Sequence, residues 1–85
     1  MYDFYCFEFS WNGATFRIFK HDFKSAWDSG TKMLRKILYR NRDTYSVLFK
    51  VYRDFGHARY DIELGAISLN GITLADSREI NRGEE

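Results

Sequence analysis

The sequence predicts an α+β fold: an antiparallel sheet of four to five strands with one α-helix on one face, in the order ββαββ(β). Three observations carry this. An Asn-Gly pair at 12–13 divides two alternating runs, which is the strongest short-range sign of a β-hairpin. The next segment has apolar residues three and four apart, the spacing of one helix face. Two further alternating runs follow it. A chain of 85 residues makes one domain, placed at 1–75, with 76–85 as a polar, frayed tail.

A two-residue type I′ turn at Asn12-Gly13 fixes the first register. Trp11 then faces Ala14, Phe9 faces Phe16 and Phe7 faces Ile18 on one side. Ser10 faces Thr15 and Glu8 faces Arg17 on the other, so hydroxyls and opposite charges meet. The first set, with Phe23, Trp27 and Leu34 from the helix, is the predicted core.

The helix is placed at about 23–40. Its apolar face is Phe23, Ala26, Trp27, Gly30, Leu34, Ile37 and Leu38, and Asp22 precedes it as an N-cap. Gly30 costs a helix up to ~1 kcal/mol, so its place on the apolar face predicts close approach to the sheet.

The second hairpin alternates from Tyr45 to Tyr52 and from Ala58 to Leu64. A two-residue loop at Gly56-His57 puts Lys50 opposite Glu63, Asp54 opposite Arg59, Val51 opposite Ile62 and Phe49 opposite Leu64. The apolar parity changes beyond Leu64, which predicts a bulge at Gly65. Residues 67–74 then read as a smaller Asn-Gly hairpin. In element order alone the chain resembles the β-grasp arrangement of ubiquitin-like domains, which implies a mixed sheet. A two-layer sheet with another strand order and a simple meander are the alternatives.

Composition narrows the function classes. Aromatic residues are 19% of the chain, and each buried ring removes about 150–250 Å² from water. The single Cys6 excludes an internal disulfide and fits a reducing compartment. No apolar run reaches the ~18 residues of a membrane span, and the N-terminus lacks the basic region of a signal peptide. A soluble cytoplasmic protein without a membrane partner is expected. The net charge of +1 hides a polarity: residues 32–59 hold eight cations against two anions, and residues 60–85 hold two against six.

Motifs for chemistry are absent, so the expectation is a protein that is not an enzyme and needs no cofactor or metal. Cys6 falls opposite Phe19 and diagonal to His21, but no orienting group or oxyanion donor accompanies them. They read as an apolar filler and a lead into the helix cap. His57 reads as a solvated turn residue. There is no Cys-x-x-Cys or His-x-x-x-His spacing for a metal, and Asp54-Phe55-Gly56 matches a kinase magnesium motif with nothing else of a kinase around it.

Three surfaces remain as candidates. On the sheet face away from the helix, Tyr2, Phe4, Cys6, Phe19, Leu48 and Tyr52 share one parity; clustered, they make an apolar patch rimmed by charge, as protein-binding sites do. If residues 66–75 fold over that face, the patch is covered. Asp61, Glu63, Asp76 and Glu79 offer an acidic contact that mimics a nucleic-acid backbone. Lys32, Lys36 and Arg40 stand at i, i+4, i+8 on the helix, with Arg35, Arg42 and Tyr39 beside them, a phosphate-binding stripe with a ring to stack on a base. The favoured reading is a non-catalytic binding protein that engages another protein, or a second copy of itself. Its size and composition resemble those of small phage and mobile-element proteins that inhibit a host enzyme by occlusion. Nucleic-acid binding through the helix is the alternative.

Overall fold

A computed structural model of the chain describes residues 4–56 and 58–75. The strands are β1 (Phe4–Trp11), β2 (Ala14–Lys20), β3 (Val47–Asp54), β4 (Arg59–Ser68) and β5 (Gly71–Ala75), and the helix α1 is Phe23–Arg40. Tyr2, His57 and the tail residues Asp76 and Glu79 lie outside the described residues.

Asn12 and Gly13 take φ of 54° and 79°, the positive pair that a type I′ turn demands. The first hairpin therefore has the predicted register throughout, from Trp11 opposite Ala14 to Tyr5 opposite Lys20. Asp22 caps α1: its Oδ1 accepts from the Ser25 N–H at 2.8 Å.

The sheet order is β2-β1-β3-β4-β5, and every pair is antiparallel. Among the described residues no parallel pair supports the mixed, β-grasp-like alternative. Because β2 and β3 both run antiparallel to β1, they are parallel to one another, and a hairpin loop cannot join them. The helix makes the crossover, passing over β1. It packs on one face of the sheet and touches β1, β2, β3 and β4.

The core lies between the two layers. Phe7, Phe9, Ala26, Leu34, Leu38, Val47, Phe49, Val51 and Ile67 form it, with Trp11, Ile18, Phe23 and Trp27 packed around them. Phe7 stacks on Phe49 with centroids 4.9 Å apart, and Trp27 sits edge-on to both rings. Gly30 lies against the Phe7 ring, where a Cβ would overlap it. Phe16 departs from the expectation. It stacks on Phe9 at 5.1 Å yet stays 39% exposed, because β2 is an edge strand with no strand beyond it among the described residues.

The second hairpin needs a correction. Asp54 faces Arg59, Arg53 faces Tyr60 and Tyr52 faces Asp61 as predicted, but Val51 then faces Glu63. The extra residue is Ile62, not Gly65. Phe49 is thereby opposite Gly65, and Lys50 opposite Leu64. The reason is space: a Cβ at Gly65 would stand 3.0 Å from Phe49 Cζ and 2.6 Å from the Thr73 carbonyl oxygen. Gly65 is the one residue in this stretch that fits beneath that ring, and one residue must be set aside earlier to bring it there.

The last hairpin also differs. Ser68 faces Gly71, so Leu69 and Asn70 form the loop, and Asn70 has no positive φ. Ser68 Oγ accepts from the Asn70 N–H at 3.1 Å. This places Ile72 beside Ile67, against the core. Residues 66–75 therefore do not fold over the sheet; they extend it sideways.

Candidate functional site

Alternate residues of β1 and β3 point away from the helix: Phe4 lies opposite Asp54, Cys6 opposite Tyr52 and Glu8 opposite Lys50. The candidate residues on this face do not form one patch. Cys6 and Tyr52 are covered, at 0% and 2% exposure. The Arg59 guanidinium lies 3.9 Å from the centroid of the Tyr52 ring, which accounts for part of that cover. Asp54, Arg59's register partner, instead accepts from the Gly56 N–H at 2.7 Å. Phe4 packs edge-on against Phe19 at 6.3 Å and lies 5.0 Å from the His21 ring. Leu48 is well exposed, but it is four residues from Tyr52 along β3, about 13 Å away.

A polar belt separates the two ends. Glu8 sits on β1 with β2 on one side and β3 on the other, so register gives it a cation on each. Arg17 Nε donates to it at 2.9 Å, Lys50 Nζ stands 3.7 Å away, and the Tyr52 hydroxyl donates at 3.3 Å. Partial burial opposes its ionisation, but the hydrogen bond from Arg17 and the charge of Lys50 outweigh it and hold the carboxyl below its ordinary value. Lys50 thus pairs with Glu8 rather than with the expected Glu63.

Burial pushes the Cys6 thiol up, and a hydrogen bond with Tyr52 offsets this in part. Burial, then the neighbouring thiol, likewise push the Tyr52 phenol up. Both groups are held in their neutral forms.

Beyond the belt the face is hollow. An open groove of about 730 Å³ crosses β1, β3, β4 and β5, and Ser10, Leu48, Leu64, Ala66, Thr73 and Ala75 are among the residues that line it. Leu64 reaches this face because the extra residue at Ile62 sets it opposite Lys50. Thr73 and Ala75 follow, opposite Ala66 and Leu64. Leu48 is 74% exposed. The adjoining strand β5 carries no charge, and its outer edge has no strand beside it among the described residues. Leu48 was expected on this face, whereas Leu64, expected opposite Phe49 on the inward side, joins Ala66, Thr73 and Ala75 here only because the bulge is at Ile62.

The two described members of the acidic set do not come together. Asp61 is exposed opposite Tyr52, and Glu63 is half-buried opposite Val51, two adjacent β3 positions on opposite faces. The basic set does: Lys32, Arg35, Lys36, Tyr39 and Arg40 stand exposed on α1, and Arg42 follows just beyond it.

Among the described residues no three His, Cys, Asp or Glu side chains gather as a metal ion requires, and no helix is long and apolar enough to cross a membrane. Compared with known proteins, the chain matches no family model, no curated protein and no solved structure.

Proposed function

We propose that the chain is a non-catalytic binding module that takes up an extended segment of a partner protein. The segment pairs with the outer edge of β5 and turns its apolar side chains over Thr73 and Ala75 toward Leu48. The observation that carries this reading is the open groove beside a charge-free edge strand. Edge strands that are not meant to pair are guarded by charge, proline or bulges. The other edge, β2, has Arg17 and Lys20, whereas β5 is guarded by none of these. Main-chain hydrogen bonds then supply affinity, and the groove supplies the choice of side chains. An open trough suits a polypeptide better than a small molecule, which needs most of its surface enclosed. Covering a partner's strand in this way is action by occlusion and asks no reacting group of the module.

The test is selection of binders from a random-peptide library, followed by amide mapping of the complex. The expected peptides alternate in apolarity, perturb Thr73, Ala75 and Leu48, and slow hydrogen exchange along β5. A Leu48→Lys variant should lose them while melting as the parent does. Binders that map to α1, or a library that yields none, overturn the reading. A concentration-dependent dimer in the ultracentrifuge that blocks those peptides would identify the partner strand as β5 of a second copy.

A further inference from the structure

We propose that the outward face of α1 binds the phosphates of a single-stranded nucleic acid, with Tyr39 as the platform for one base. Lys32, Lys36 and Arg40 rise one above another at about 6 Å intervals along the axis, flanked by Arg35 and Arg42, and all five are exposed. The chain has no acid between Asp28 and Asp43 to answer them. Asp28 is held by Lys24 at 2.9 Å, Asp22 caps the helix, and among the described residues no salt bridge reaches the five.

Neither the helix nor the fold explains the set. The dipole favours cations within the last turn, and Arg40 is the basic residue there. The helix is anchored from its other side by Ala26, Gly30, Leu34 and Leu38. Like charges at i,i+4 repel, so an anion with repeating charge relieves the stripe.

Tyr39 is an independent sign. It is 61% exposed. Arg42 Nε donates to the Tyr39 carbonyl oxygen at 3.3 Å, and its guanidinium lies 5.5 Å from the ring centroid. A ring on the surface beside cations is what sequence-tolerant base stacking uses. An acidic protein surface would answer the cations and leave the ring idle. This face is the opposite one from the groove, so the two proposals stand or fall separately.

The experiment is fluorescence anisotropy of labelled oligo-uridylate and oligo-thymidylate over a salt series from about 50 to 200 mM. With four or five phosphates engaged, log K should fall with log salt at a slope of about −3. Lys36→Glu/Arg40→Glu should weaken binding at least about tenfold and flatten the slope by about 1.4. Tyr39→Ala should weaken it several-fold or more and leave the slope unchanged. All these positions are exposed, so melting temperatures should match the parent. Absence of binding at the lowest salt, or charge-reversed variants that bind as the parent does, overturns the proposal. So does a Tyr39→Ala variant with full affinity, which leaves plain attraction to any polyanion. The two oligonucleotides distinguish RNA from DNA as the preferred strand.

Discussion

Gly30 of α1 lies against the ring of Phe7 in β1, so closely that a side chain of even one carbon would overlap the ring. Phe7 cannot yield, because it is fully buried and stacked on Phe49. Gly30→Ala improves helix propensity by up to ~1 kcal/mol, yet overpacking a filled core costs about 1–3 kcal/mol. The expected result is a net loss of up to about 2 kcal/mol, read as a melting temperature lower by up to roughly 16 °C. A variant that melts higher than the parent would show that the helix does not approach the sheet there.

The two Asn-Gly pairs should respond differently to alanine. Gly13 has φ of 79° and open space around it, so Gly13→Ala meets backbone strain alone, about 1–2 kcal/mol. Asn70 has no positive φ, and what it contributes is its backbone N–H to Ser68 Oγ, which alanine keeps. Asn70→Ala should stay within about 0.5 kcal/mol. Urea unfolding of both variants measures this, and equal losses would contradict the different turns.

Glu8 should make stability depend on pH. Its carboxyl is held below the ordinary value of 4.5, so its ionised form stabilises the fold above about that pH. The contribution is lost as pH falls through the lower folded value. Glu8→Gln should cost about 1 kcal/mol at neutral pH, since Arg17 is half exposed and the pair is partly screened. The gap between the two proteins should narrow in acid. Urea midpoints of both across the acid range test this, and a gap that stays constant would assign the titration to another group.

The helix and first hairpin were legible because their determinants are local. Asp22, the spacing from Phe23 to Leu38, and Asn12-Gly13 each act within a few residues. The site was not, because it depends on which strands become neighbours. Alternation marks Phe16 and Phe7 alike as inward, and only the order β2-β1-β3 makes one an edge residue and the other the centre of the core. The same order puts Glu8 between Arg17 and Lys50, and the extra residue at Ile62 takes Glu63 away from the partner it was assigned. A parity change between Leu64 and Ile67 announced a bulge, but its position was decided by the fit of Gly65 beneath Phe49, a contact between two strands. Placing it wrongly hid Leu64 from the groove.

Cys6 should be slow to react. It is 0% exposed, lies between Phe19 and Tyr52 in register, and its thiol is pushed above its ordinary value of 9.0 by burial. The thiolate is the reacting form, so a reagent such as Ellman's disulfide needs both an opening of the sheet and a deprotonation. The interior strand β1, paired on both sides, opens near the cost of global unfolding. Labelling of the native chain should therefore be slower than that of the urea-unfolded chain by several orders of magnitude. It should accelerate with urea along the unfolding curve, and Glu8→Gln should speed it by the factor its stability loss implies. A thiol that reacts in the native state at the unfolded rate would place Cys6 at an accessible surface, and would return it, beside His21, to the candidates for chemistry.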